Sequence, residues 1–336
     1  MRKDAVILIP SYEPDELLIN TVKELYDEGF SILVVNDGSS EDFDYIFKQI
    51  TSMATYEKYE KNQGKGGALK YGFKRIKSLF PEAEFVITAD GDGQHALHDI
   101  ISVYDELKQT DEMVFGVRDL EKMPPNSKFG NEFSKTTRFL VTKDYISDDQ
   151  CGLRGFPVRY IKGLVRVAGK RYQYEMNQMI NVQMSQRKVT ALPIDTIYLD
   201  NNSRSHFVSF QDTFRIQLAI FLNWLPALIT FIGSLVAILV MYANGLIYNG
   251  MTVLLVFGIA FLVRLITYSI MYPTKRMWRR VGKELLTTVV EGGVCFIITY
   301  FLFKYSSIPF GVYIPISMLL GAGLMYLLFW VNRKQA

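Results

Sequence analysis

The sequence predicts two unlike halves: an α/β domain on a mostly parallel, doubly wound sheet, then an all-α domain of four transmembrane helices. Three observations predict this. Short β-branched runs alternate with amphipathic stretches through the first 210 residues, the pattern of βαβ units. Each unusual polar cluster in that half follows one of those runs, and in such sheets ligands bind beyond the carboxyl ends of the strands. Past Leu218 the chain turns into long apolar runs that approach the roughly 20 residues needed to cross a bilayer. The expected domains are therefore 1–210 and 211–336, and the 49% hydrophobic content of the 336 residues averages two dissimilar parts.

Bulk properties exclude some classes. A net charge of +3 is too small and too dispersed to suggest a nucleic-acid partner. Cys151 and Cys295 fall in different halves; they give no metal-ligand spacing, no disulfide is expected, and a reduced compartment is the default for the first half. Met1 to Asp4 leads straight into a strand, without the apolar length or cleavage site of a signal peptide.

Taken in order, Ala5 to Ile9 reads as a strand ending at Pro10-Ser11-Tyr12-Glu13-Pro14, with an amphipathic helix from Asp15 to Glu28. Ser31 to Val35 is a second strand, ending at Asn36-Asp37-Gly38-Ser39-Ser40 before a helix from about Asp42. A short strand near Ala54 to Tyr59 leads to Asn62-Gln63-Gly64-Lys65-Gly66-Gly67 and a helix from Ala68 to about Leu79. Free N–H groups and the dipole at that helix start favour an anion, and Lys65 could neutralise a diphosphate. The spacing of a Walker loop is absent, and an ordinary helix entry with a solvated lysine also fits.

Phe85 to Ala89 feeds Asp90-Gly91-Asp92-Gly93-Gln94-His95. Residues i and i+2 of a strand point the same way, so the two acids can share one small space. They repel unless one is protonated or a cation sits between them, and a hard divalent cation that also grips phosphate oxygens is the natural occupant. On its own, D-x-D equally suits a solvated turn. Met113 to Val117 ends at Arg118. From Phe156 to Arg171, Val158, Ile161, Leu164, Val165 and Ala168 follow helical spacing among Arg159, Lys162, Arg166, Lys170 and Arg171. That pattern predicts a basic amphipathic helix, resting on anionic headgroups or packed on the sheet.

The apolar runs fall at Leu218 to Tyr242, Met251 to Met271, Leu285 to Phe303 and Phe310 to Val331. Lys275, Arg276, Arg279, Arg280 and Lys283 lie between the second and third runs, none in 243–250, and Arg333 and Lys334 follow the last. By the positive-inside rule the first domain, the middle loop and the C-terminus are cytoplasmic, which predicts a multi-pass protein of the cytoplasmic membrane. Arg264 and Glu291 fall inside spans and are expected to pair, because a lone charge there is costly.

Eight clusters occur in a recognisable order: Ile9-Pro10-Ser11-Tyr12-Glu13, Val35-Asn36-Asp37-Gly38-Ser39, Asn62-Gln63-Gly64-Lys65-Gly66, the Asp90 to His95 segment, Gly116-Val117-Arg118, Asp149 to Phe156, Tyr174-Glu175 and Asp200 to Phe207. Together they resemble the family-2 glycosyltransferases of GT-A fold, in the branch of dolichyl-phosphate mannose synthase and the bacterial polyprenyl-phosphate glycosyltransferases. Two positions depart from the pattern: Asn36 stands where V-D-D-G-S has its first acid, and Glu13-Pro14 replaces the Asn-Glu of I-P-x-Y-N-E. No Q-x-x-R-W occurs, which argues against a processive polysaccharide synthase.

The resemblance implies inverting transfer of a sugar from a UDP- or GDP-sugar to a polyprenyl phosphate such as undecaprenyl phosphate. It implies Mg²⁺ or Mn²⁺ on Asp90, Asp92 and Gln94, and a nucleotide pocket of Pro10, Tyr12, Glu13 and Asp37. Gly64 and Lys65 become donor contacts, and Arg204 and His206 sit on a loop closing over the diphosphate. Arg118 receives the acceptor phosphate with Lys128, Asn131 and Ser134 beside it, and Gln150, Arg154 and Glu175 line the sugar end. Asp92, Arg118 and Lys128 are the residues expected to carry catalysis.

The second half resembles the GtrA-like four-helix membrane proteins through Val263-Arg264-Leu265-Ile266 and Met277-Trp278-Arg279. That likeness implies handling of polyprenyl-phosphate sugars, beside the plainer role of an anchor. A transport protein that flips a lipid-linked sugar, with the first half supplying or regulating it, is the alternative. A soluble-donor nucleotidyltransferase would share the sheet but has no use for four spans, and a second copy of the chain stays open as a partner.

Overall fold

Alternation along the strands decides how the sheet is buried. The computed structural model describes residues 2–123, 125–142, 146–197, 209–243 and 250–272, with a few more between 278 and 289. In chain order the main elements are β1 (Arg2–Ser11), α1 (Leu17–Asp27), β2 (Phe30–Asn36), α2 (Asp44–Ile50), β3 (Thr55–Lys58), α3 (Lys65–Leu79), β4 (Phe85–Thr88), α4 (Leu97–Thr110) and β5 (Met113–Val117). They continue with α5 (Pro125–Thr142), β6 (Arg154–Pro157), α6 (Ile161–Arg166), α7 (Gln173–Met184), β7 (Val189–Pro193), α8 (Ser209–Ala243) and α9 (Gly250–Met271).

Ala5, Ile7 and Ile9 of β1 face one apolar core with Ile32, Val34, Phe85, Ile87 and Val114. Val6 and Leu8 face a second core with Leu33, Val35, Val86, Met113 and Phe115. Helices α1, α2 and α4 cover the first face with Leu18, Val22, Ile46, Phe47, Ile100 and Val103. Helices α3, α6 and α7 cover the other with Leu69, Phe73, Ile76, Ile161, Leu164 and Met179. Burial on both sides explains why these strands are near-continuous apolar runs.

The strand order is β3-β2-β1-β4-β6-β5-β7. Strands β1, β2, β3 and β4 run parallel, while β6 lies antiparallel between β4 and β5. The mostly parallel α/β sheet expected of the first domain is thus present, with one reversed strand. Ser11 pairs with Asn36 and Leu8 with Thr88, so the polar clusters after β1, β2 and β4 emerge on one rim. Because β6 is reversed, Arg154 at its start, opposite Thr88, joins that rim from the other direction.

The basic amphipathic helix expected over 156–171 does not form as a unit. Phe156 and Pro157 end β6, and α6 is only six residues long. Ile161, Leu164 and Val167 of this segment face the second core, so its apolar stripe is spent on the sheet rather than on a membrane.

The chain divides into two units, one of residues 1–139, 146–183 and 187–220, the other of 140–145, 184–186 and 221–336. Among the described residues no helix is long and apolar enough to cross a membrane. The first two predicted spans fall on α8 and α9; the fourth, and all but a few residues of the third, lie outside the described residues, as do Glu291 and Cys295. In the second unit the Arg264 Nη2 donates to Thr288 Oγ1 at 2.8 Å.

Candidate active site

The acid pair sits where β4 stops. Its four residues are fully buried, and the chain leaves the sheet at Ala89 into Asp90-Gly91-Asp92. The Asp90 N–H donates to His95 Nδ1 at 3.1 Å, and Asp92 Oδ1 accepts the Gln94 N–H at 3.1 Å. These local bonds fold the loop back on itself, so both carboxylates stay near the rim.

Lys65, at the start of α3, reaches this loop. Its Nζ lies 2.8 Å from Asp90 Oδ1 and 3.1 Å from Glu175 Oε1. Burial by itself would raise the Asp90 carboxyl, but the charge and hydrogen bond of Lys65, with His95 and Arg118, together outweigh it and hold the group below the usual range. Burial, then the Asp90 charge, push Asp92 up to about 6. Burial also drives His95 down to about 4, so at neutral pH it is uncharged and its Nδ1 is free of a proton and accepts. Two carboxylates that disfavour each other's ionisation, among oxygen donors at glycines, match what a hard divalent cation relieves.

The clusters after β1 and β2 face each other. Asp37 is buried, and its Oδ1 accepts the Tyr59 hydroxyl and, at 2.7 Å, the Gln63 N–H. Gly38 adopts φ +76°, where an added Cβ would lie 2.6 Å from the Asn62 nitrogen; only glycine closes this turn. Asn36 is wholly buried, with Oδ1 accepting from Ser39 N at 2.8 Å and Nδ2 donating to the Tyr56 hydroxyl at 2.9 Å. Its amide therefore braces the turn, which accounts for the missing acid at this position. Ser39 Oγ accepts the Glu13 N–H at 2.8 Å, tying Pro10-Ser11-Tyr12-Glu13 to the Asp37 turn. A hydrogen bond to Glu13 raises the Tyr12 phenol.

The glycine-rich start of α3 is less open than its sequence suggests. The Gly67 N–H donates to both Gly64 O and Lys170 O at 2.7 Å, and Lys65 is committed to carboxylates. Gly64 itself has φ +85°, and Arg171 crosses over it.

Arg118 follows β5 and is held by Asp148 through Nε at 2.7 Å, Nη2 at 3.1 Å and its own N–H at 3.2 Å. Burial raises Asp148, but the Arg118 charge and the hydrogen bonds from Arg118 and Gln150 together outweigh it and keep the carboxyl below its usual range. Gln150 Nε2 donates to Ser134 Oγ at 3.1 Å, and Ser134 Oγ donates to Asp149 Oδ1 at 2.9 Å. Asn131 is buried one turn earlier on α5. Lys128 stands apart, half-exposed and paired with Glu121 at 2.6 Å.

Two arginines change the expected picture. Arg154, predicted at the sugar end, is fully buried, donating to Cys151 O at 2.9 Å, Glu175 O at 2.7 Å, Gln178 Oε1 at 2.8 Å and Asp149 O at 3.2 Å. It ties the 149–151 loop to α7 instead of facing a ligand. Arg138, absent from the predicted set, is equally buried and holds Asp149 at 3.3 Å, Gln183 Oε1 at 2.7 Å and Ile146 O at 2.7 Å. The signal for it was present: Asn131, Ser134 and Arg138 continue one helix face. Arg204 and His206 lie outside the described residues.

Comparison with known proteins identifies the setting of this cluster. Residues 6–164 match the family model described as Glycosyl transferase family 2. A UDP-N-acetylglucosamine–dolichyl-phosphate N-acetylglucosaminyltransferase of Methanococcus voltae is 29% identical over 217 residues, covering 58% of this chain and 86% of that protein. A dolichyl-phosphate beta-glucosyltransferase of Saccharomyces cerevisiae is 29% identical over 118 residues, 31% of this chain and 34% of the relative. Among solved structures, glucosyl-3-phosphoglycerate synthase from Mycobacterium tuberculosis aligns with a TM-score of 0.49 at 12% identity, covering 65% of this chain and 79% of that one. Residues 6–164, which include the rim built from β1, β2, β4 and β5, thus form a domain similar to glycosyl transferase family 2.

Proposed function

We propose that the chain transfers a sugar from a nucleotide-diphosphate sugar to a polyprenyl phosphate at the cytoplasmic face of a membrane, with inversion and a divalent cation. One observation carries the reading most directly: the neighbouring carboxylates Asp90 and Asp92 share a rim with the Asp37 turn on one side and the Arg118–Asp148 pair on the other. Relatives named for transfer to dolichyl phosphate support the lipid acceptor.

Asp90, Asp92 and Gln94 would hold Mg²⁺ or Mn²⁺, which when bound supplies charge stabilisation for the departing diphosphate. Pro10, Tyr12, Glu13 and Asp37 bind the nucleotide, with Gly64 beside them. Arg118, oriented by Asp148 before any ligand arrives, holds the acceptor phosphate in line with the anomeric carbon. That phosphate is largely dianionic near neutral pH, its second pKa being about 6, so one of its own oxygens attacks and no strong general base is needed. Gln150, Asn131 and Ser134 shape the space beside it.

The membrane assignment rests on the second unit. Along the last turns of α9 Arg264 and Tyr268 are buried, as is Tyr272 just beyond it, whereas Ile266 is 58% and Ile270 75% exposed. A helix with its polar stripe inward and its apolar stripe outward is turned for lipid, not water. The same buried stripe favours a second activity, handling of the lipid-linked sugar by this unit.

Purified chain in proteoliposomes, offered UDP- and GDP-sugars with undecaprenyl or dolichyl phosphate, should yield a lipid-linked sugar. Asp92→Ala should abolish turnover while retaining the melting temperature of the parent. Full activity of that variant in metal-free buffer would overturn the metal assignment. Scoring transfer and trans-bilayer movement separately distinguishes the two activities.

A further inference from the structure

We infer that Lys65 and Glu175 form a positioning pair that sets how tightly the acid pair holds a cation, the Lys65 ammonium loosening the grip of Asp90 and the Glu175 carboxylate, which shares that ammonium, restoring it. The inference rests on the metal-dependent reading above, and it gives both residues a task other than contact with the donor.

Asp90 is fixed from three directions. His95 Nδ1 accepts its N–H at 3.1 Å, Lys65 Nζ sits 2.8 Å from its Oδ1, and the Gly152 backbone lies against its Oδ2. A Cβ on Gly152 would fall 2.5 Å from Asp90 Oδ2 and 2.9 Å from Lys65 Nζ, so any side chain there would push the ion pair aside. Glu175 closes the arrangement from the far side, its Oε1 3.1 Å from the same ammonium. Its own backbone is anchored, with Glu175 O accepting from Arg154 Nη1 at 2.7 Å and the neighbouring Tyr174 hydroxyl donating to Leu164 O at 3.0 Å. The carboxylate therefore has little room to follow a wandering lysine.

Ammonium hydrogen bonds to ionised carboxylates in a water-poor setting are strong and directional. With two of its three N–H groups pointed at acids, Lys65 is held where it blocks one Asp90 oxygen and offsets one unit of charge. Asp90, Asp92 and Glu175 bring three negative charges and Lys65 one positive. Removing the positive charge leaves a more negative site; neutralising Glu175 leaves a less negative one. A cation bound within several ångströms feels each change strongly.

The test is Mn²⁺ affinity of the full chain without nucleotide, read from free Mn²⁺ by electron paramagnetic resonance or by calorimetry. Lys65→Met should tighten Mn²⁺ about tenfold and Glu175→Gln should weaken it about tenfold. Opposed signs are the mark of positioning by charge. A lysine that contacted only the donor diphosphate would leave both affinities unchanged and raise the donor KM instead. Unchanged affinities, or a shift of both variants in one direction, would overturn the inference. Should Lys65→Met not fold, the isosteric Glu175→Gln decides alone: weakened binding with a parental melting temperature supports the pair, and unchanged binding sinks it. Absence of Mn²⁺ binding by the parent protein would instead bring down the metal-dependent reading.

Discussion

Replacing Arg154 by Met separates two accounts of the site. The guanidinium is 1% exposed and donates to three backbone carbonyls and the Gln178 side chain, at 2.7 to 3.2 Å. Its carbon Cζ also lies 4.9 Å from the centroid of the Phe115 ring. Methionine keeps much of the stem volume but leaves all four acceptors without this donor. Hydrogen bonds to a charged group contribute roughly 1.5–3 kcal/mol each, and they are not additive because the acceptors relax together. The loss of a fully buried charged anchor is about 3–5 kcal/mol. Against a usual total of about 5–15 kcal/mol this is large, and at about 2–4 °C per kcal/mol for a domain of this size it lowers Tm by roughly 10 °C. Thermal denaturation of the full chain followed by circular dichroism measures it, alongside donor KM. A Tm within 2 °C of the parent, together with a raised donor KM, would show that Arg154 faces the sugar after all.

Three further outcomes follow from the same contacts. Burial raises the Asp148 carboxyl, but the Arg118 charge and the hydrogen bonds from Arg118 and Gln150 together outweigh it and depress the group, so its contribution is fully present above the ordinary carboxylate value of about 3.9 and is lost as pH falls through the lower folded value; urea midpoints should drop on acidification below about pH 4, and Asp148→Asn should flatten that limb while lowering stability at neutral pH. Asn36→Asp, which restores the acid usual in the family pattern, places a second carboxylate at a wholly buried position beside Asp37, and should cost about 1–3 kcal/mol by chemical denaturation; a neutral result would mean the amide bonds to Ser39 and Tyr56 are dispensable. Phe129 and Phe133 on α5 are stacked and exposed, so Phe129→Ser with Phe133→Ser should leave stability within about 0.5 kcal/mol yet raise KM for the lipid phosphate and not for the nucleotide sugar.

The sheet was legible wherever a strand is buried on both faces, because only uninterrupted apolar runs can occupy such positions; β1, β2, β4 and β5 stand within a residue or two of their expected places apart from an earlier start to β1. Strands β6 and β7 were not, for opposite reasons. Arg154-Gly155-Phe156-Pro157 carries no apolar run, since one of its inward positions is the buried arginine and another a glycine whose Cβ would lie 2.7 Å from Leu107. Val189–Pro193 is an edge strand only partly buried. The segment after β6 misled because helical spacing of apolar residues records a buried stripe without saying what buries it; here the second core does, and the helix follows a tight turn at Val158–Tyr160 and stops after six residues, where Val167 leaves the helical conformation.

What a motif leaves out is which charges are already engaged. The places of Asp90 and Arg118 just past β4 and β5 say that they reach one rim, because strands running the same way end together. They say nothing of partners 21 to 110 residues apart in sequence, and those partners decide the chemistry. Lys65 is divided between two acids, Arg118 is gripped bidentately by Asp148, and Arg154 has only carbonyls and an amide around it. A cation already oriented by a carboxylate need not reorganise when a phosphate arrives, so it stabilises developing charge at little cost. One surrounded by carbonyls has no such role and serves the fold. Arg118 belongs to the first kind and Arg154 to the second, and side-chain pairing across the sheet rim, rather than the identity of the residue, makes the difference.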